Sequence, residues 1–106
     1  MNSLNSVLLE GNLVANPEEI RNGVCGFTFE SFRYNKVDGD RVYEKEVSRF
    51  DVEVSGDLGK RCYDELVKGR GVRVVGRLKQ TSEGVRIIAE HVEFKPVFDT
   101  GIKSEE

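Results

Sequence analysis

Apolar residues fall at every second position in several segments of this 106-residue chain, and that spacing constrains the fold more than any other feature. In SRFDVEVSG (48–56), Phe50, Val52 and Val54 share one face, while Arg49, Asp51, Glu53 and Ser55 share the other. A β-strand turns successive side chains to opposite faces, so the segment reads as a strand with one buried and one exposed side. VCGFTFESFRYN (24–35) repeats the pattern with Cys25, Phe27 and Phe29. GVRVVGRLKQ (71–80) repeats it again, with Val72, Val74 and Leu78 inward and Arg73, Arg77 and Lys79 outward. LNSVLLEGNLV (4–14), with Val7 and Leu9 on one face, opens the series, and VRIIAEHVEFK (85–95) closes it.

Turn signals separate these runs. Asn16-Pro17 breaks the first, because proline disfavours continuation and biases its predecessor away from helix. Asn22-Gly23 marks a tight turn, VDGDR (37–41) a hairpin turn into a third strand over 42–56, and SEG (82–84) the last turn. One segment abandons the period of two. DLGKRCYDELVKG (57–69) carries Leu58, Cys62 and Leu66 at steps of four, a single amphipathic stripe. It reads as a short helix with Asp57 as N-cap and Gly69 as C′ residue, although Gly59 lies in its first turn. Three strands, one helix and two strands describe an all-β domain: an OB-fold, a five-stranded Greek-key barrel with one short helix between strands 3 and 4. Gly11, Gly56 and Gly76 are expected at its bulges or bends. The domain is placed at 1–96, followed by a short tail (97–106) whose end is expected to be mobile.

A chain of this length forms one domain that buries a core without staples. No run approaches the roughly 18 apolar residues of a membrane span, and MNSLNSVLLEGN has no basic region before a long apolar stretch, so cytoplasmic residence is the default. Cys25 and Cys62 read as small buried hydrophobes, and a disulfide is not expected in a reducing compartment. His91 is the only histidine, which excludes a multi-histidine metal site within one chain and leaves it as a strand residue. No P-loop, Cys/His cluster or Ser-His-Asp set is present, so neither an enzyme nor a cofactor is expected. The net charge of −3 argues against a histone-like protein, but the local distribution of charge decides nucleic-acid binding.

Three blocks of the sequence resemble bacterial single-stranded DNA-binding proteins of the homotetrameric OB-fold type. LNSVLLEGNLVANPE is similar to that family's opening strand. FDVEVSGDLGKRCYDELVKG is similar to the end of its third strand and its helix. GVRVVGRLK with IIAEHVEF is similar to its last hairpin. The resemblance spans roughly residues 2–95. It implies passive binding: phosphates meet Lys and Arg, and bases stack on aromatic rings. Homotetrameric assembly and roles in replication, recombination and repair come with it.

The same resemblance exposes departures. Arg49 and Ser55 stand where the family usually carries aromatics on the third strand, and Asp57 where a lysine commonly follows the strand-ending glycine. The last hairpin shrinks to KQTSEGVR, with Glu83 near a third expected platform. The tail GIKSEE lacks the apolar tip that recruits replication and repair proteins in the family. The remaining candidates for nucleic-acid contact are Arg33, Tyr34, Lys36, Arg41, Arg49, Arg73, Arg77, Lys79 and Arg86. Tyr34 leads for stacking, Phe32 is expected to be exposed beside it, and Arg49 can contact phosphate or stack through its guanidinium. Two other readings stay open: an OB-fold interaction module with weak or no DNA binding, and an RNA-binding domain.

Overall fold

The alternating segments become the walls of a barrel. The structure is a computed structural model that describes residues 1–37 and 42–97. Its elements are β1 (Val7–Leu13), β2 (Glu18–Arg21), β3 (Val24–Val37), β4 (Val42–Ser55), α1 (Gly56–Glu65), β5 (Gly71–Thr81) and β6 (Gly84–Phe94). β1 pairs antiparallel with β5 from Val7↔Gly76 to Asn12↔Gly71, and β5 continues into the β5–β6 hairpin. β6 runs parallel to β4 at Val52↔Ile87, and β4 pairs antiparallel with β3 from Val24↔Ser55 to Val37↔Val42. The pairs Asn12↔Glu30 and Leu13↔Phe29 join β3 back to β1 and close the circle. The result is the five-stranded OB-fold barrel expected from the sequence, with α1 between its third and fourth barrel strands.

The inward parity of each strand fills the barrel. Phe29, Val52, Val72 and Val74 are completely buried, with Cys25, Phe27, Val54, Cys62, Leu66 and Ile87 around them. Each fully buried large apolar side chain stabilises the fold by about 1.5–3 kcal/mol. Phe50 is half-buried and packs its ring 5.6 Å from that of Phe29, so it extends the core. Closure depends on a missing side chain: a Cβ at Gly11 would collide with the Glu30 carbonyl oxygen and the Phe29 ring. Gly76 sits at the register shift between β5 and β6, and Gly56 takes φ +69 where β4 turns into α1, so all three glycines mark bends or close approaches.

Several sequence expectations change. β2 is an extra edge strand beside β3, and it gave no signal because Glu18, Glu19, Ile20 and Arg21 are all exposed and do not alternate. The helix starts after Ser55 rather than Asp57 and ends at Glu65, not near Gly69. Leu66, still buried, already has extended backbone. Gly59 favours this helix rather than opposing it, because any Cβ there would strike the Val54 carbonyl oxygen; its bareness lets α1 lie against β4. Leu78 was expected inside but is 43% exposed. It lies two residues past Gly76, the last β5 residue that β1 covers, and on that side the Asn5 side chain hydrogen-bonds its backbone. Cys25 and Cys62 are free and buried as expected; burial pushes the Cys25 thiol up and the Cys62 thiol to about 12. Among the described residues, no helix is long and apolar enough to cross a membrane. Of the turn expected at 37–41, Val37 still belongs to β3, and residues 38–41, like the tail beyond 97, lie outside the described residues.

Candidate nucleic-acid interface

Residues paired across a β-ladder share a face, so the register of β3 on β4 defines one continuous outer track. From the outer end inward, its rows are Lys36↔Tyr43, Tyr34↔Lys45, Phe32↔Val47, Glu30↔Arg49, Thr28↔Asp51 and Gly26↔Glu53. At about 3.4 Å per residue the track is roughly 34 Å long.

Its outer half is aromatic and basic. Phe32 and Tyr34 are 55% and 60% exposed, and their rings meet edge to face with centroids 5.7 Å apart. Lys45 places its ammonium 4.9 Å from the Phe32 ring centroid, a cation–π contact that leaves the charge in solvent. Tyr43 and Val47 are exposed on the same face. Exposed rings with flanking cations have the chemistry for base stacking and phosphate attraction, the combination that single-strand binders use.

Its inner half is charged and already paired. Arg49 donates from Nε to Glu30 at 2.9 Å, and Thr28 donates its hydroxyl to Asp51 at 2.6 Å. Glu53, expected on an exposed face, is 7% exposed because two guanidiniums cover it. Arg21 of β2 donates to Oε1 at 2.7 Å, and Arg86 of β6 lies 2.9 Å from Oε2. The Arg21 hydrogen bond holds the Glu53 carboxyl below the usual carboxylate range despite the opposing cost of burial. A groove of about 340 Å³ lined by Arg49, Arg86, Thr28 and Asn16 opens beside these pairs.

The sequence-predicted residues divide accordingly. Tyr34, Lys36 and Arg49 share the track, and Arg86 and Lys79, paired with each other in register, adjoin its inner end through Glu53. Arg33 has the opposite parity and sits across from Glu46, so it faces away from Tyr34. Arg73 stands on β5, off the β3–β4 ladder, where it donates to Glu10 at 2.7 Å and to Glu93 at 3.1 Å, and it lines one groove of about 690 Å³ with Glu30 and Phe32. The Arg73 and Lys95 hydrogen bonds lower the Glu10 pKa, and the Glu10 bond raises that of Arg73. Arg77 stands 3.9 Å from Glu90. Arg41 lies outside the described residues. Sequence reasoning missed Tyr43, Lys45 and Arg21. The first two were within reach: stepping back by twos from Arg49 through Val47 gives Lys45 and Tyr43. Arg21 was hidden with the unrecognised strand β2.

A family model described as the Single-strand binding protein family matches residues 4–94. The chain belongs to that family. Among solved structures, the barrel is similar to a Plasmodium falciparum SSB in complex with ssDNA (21% identity, 91% of this chain and 98% of that one, TM-score 0.76). It is also similar to the small single-stranded DNA-binding protein of Streptomyces coelicolor (20% identity, 90% and 95%, TM-score 0.72). A deletion mutant of the Thermus aquaticus single-stranded DNA-binding protein matches with 23% identity over 88% of this chain and 51% of that longer one, TM-score 0.73. At these identities the likeness is one of fold. Comparison with curated protein sequences gives no match.

Proposed function

We propose that this member of the single-strand binding family holds single-stranded DNA on the outer face of β3 and β4, without catalysis and with little regard to sequence. The observation that carries this reading is the exposed Phe32–Tyr34 pair with Lys45 beside it, on the same face as Lys36 and Arg49. Bases stack on the two rings, Lys36 and Lys45 attract phosphates, and Arg49 joins them by exchanging Glu30 for a phosphate. Stacking on a ring tolerates any base, since every base has a π-face. The family also favours assembly of several copies, as a homotetramer, in which modest contacts on each barrel reinforce one another along one strand. Protection of exposed strands during replication, recombination and repair, in the cytoplasm, is the corresponding role.

A second reading draws on the ion pairs. Arg49, Arg73, Arg77 and Arg86 each lie within 4 Å of a carboxylate, which favours an interaction module that binds DNA weakly or not at all. Fluorescence anisotropy of labelled oligo-dT across a salt series separates the two. Single-strand binding requires measurable affinity that falls linearly in log–log form with salt. Absence of binding to DNA at low salt, with the fold intact, would rule it out, and binding to oligo-U alone would redirect it to RNA.

A further inference from the structure

Glu53 is the one carboxylate that the barrel buries, among the described residues, and it lies on the face where a DNA strand would run. We propose that Arg21 and Arg86 form a phosphate seat that Glu53 fills in the free protein, so that a strand engages it by exchanging a phosphate for this carboxylate. The proposal rests on the single-strand-binding reading above and adds a regulated contact that neither the family match nor the fold supplies.

Three features point to exchange rather than to a purely structural pair. The two guanidiniums come from different elements, Arg21 from β2 and Arg86 from β6, and take one carboxylate oxygen each. A phosphodiester offers the same two anionic oxygens, and guanidinium donors accept either anion. The seat is also open on one side, since the Arg21 side chain remains 59% exposed while that of Arg86 is 20% exposed. Finally, the Arg86 contact is imperfect. Its Nε lies 2.9 Å from Oε2, yet the N–H is buried and finds no hydrogen-bond acceptor among the described residues. A buried donor left unmade is costly, so an anion that reaches it gains more than Glu53 does.

Arg86 of the seat and Arg49 of the inner track line one groove, and Lys79, opposite Arg86 on β5, adds a third cation beside the seat. A strand stacked on Phe32 and Tyr34 would therefore meet Arg49 and then the seat in order along β4. In the free protein Glu53 occupies the seat, which lowers affinity for stray anions as well as for DNA.

The test compares the full chain with Glu53→Gln, Glu53→Met and, as a control for net charge, Asp64→Asn on the exposed face of α1. Each is assayed by anisotropy with oligo-dT between about 50 and 200 mM salt, the range in which counterion release is resolved. Thermal melts identify which variants fold. Both Glu53 variants should bind about tenfold more tightly at low salt, the gain of one charge-assisted hydrogen bond. Their log–log salt slopes should steepen by about 0.7 for each arginine released, and Asp64→Asn should leave the slope unchanged. Adding Arg21→Gln to Glu53→Gln should return one such step. If only one Glu53 variant folds, that one decides. Wild-type binding with the same affinity and slope in the folded Glu53 variant, or an equal effect from Asp64→Asn, would overturn the exchange. Failure of every protein to bind at low salt would instead overturn the single-strand reading, and the exchange with it.

Discussion

Phe32 and Tyr34 stand two residues apart on β3 with their rings edge to face, at 78° between planes, and both remain more than half exposed. Scattered exposed hydrophobes are ordinary on a soluble surface, whereas a contiguous aromatic pair flanked by lysines is the feature on which the proposed binding face rests. If bases stack there, Phe32→Ala and Tyr34→Ala should each weaken oligo-dT binding by about 1–3 kcal/mol. Their exposure keeps the cost in stability within about 0.5 kcal/mol. A silent pair in the anisotropy assay would make both rings structural parts of the β3–β4 hairpin.

Arg49 and Ser55 occupy the outer face of β4, and the Arg49 side chain is 65% exposed. Replacing them together (Arg49→Trp, Ser55→Phe) should tighten binding if the strand passes over both, because stacking is worth about 1–3 kcal/mol per base. The same change releases Glu30 from its partner, so part of the gain is offset by a free carboxylate beside the track. Unchanged affinity in a folded variant would place the strand elsewhere.

Gly11 decides whether the barrel closes. A Cβ there meets the Glu30 carbonyl oxygen and the Phe29 ring, and neither backbone nor buried ring yields cheaply. Gly11→Ala should therefore destabilise the protein by about 1–3 kcal/mol, the usual range for overpacking. Urea denaturation measures it; wild-type stability in this variant would mean that β1 and β3 approach less closely.

Acid sensitivity follows from the two carboxylates held below their ordinary range, Glu53 by Arg21 and Glu10 by Arg73. A depressed folded-state pKa means that the unfolded chain binds more protons as pH falls through the ordinary glutamate value, about 4.3. Their stabilisation is thus present above that value and lost as pH drops through the lower folded-state values. The melting temperature should fall on acidification below about pH 5, and Glu53→Gln should flatten that fall. Glu10 is solvent-exposed and screened, so Glu10→Gln should alter it much less. An identical acid profile in Glu53→Gln would show that the Arg21–Glu53 pair contributes nothing to it.

Much of the barrel was legible because buried strands write their parity into the sequence. Phe50-Val52-Val54 and Cys25-Phe27-Phe29 placed β4 and β3 almost to the residue. The stripe Leu58-Cys62-Leu66 located α1 but overran its end, since Leu66 is buried for tertiary reasons after the helix has stopped. β2 was not legible, because an exposed edge strand has no face to bury and needs no alternation. The candidate site was only half legible for a related reason. Tyr34, Lys36 and Arg49 follow from parity on one strand, but the burial of Glu53 depends on Arg21 and Arg86, which lie 32 and 33 residues away in opposite directions along the chain. No local pattern carries a contact of that kind.

The most direct test of the binding face is a backbone amide NMR titration with oligo-dT at low salt. Binding on the outer track requires the largest shifts in residues 30–36 of β3 and 43–49 of β4, with weaker ones at Arg21 and Arg86. Shifts concentrated around Leu8 and Arg73 on the β1–β5 side, with β3 and β4 silent, would contradict it.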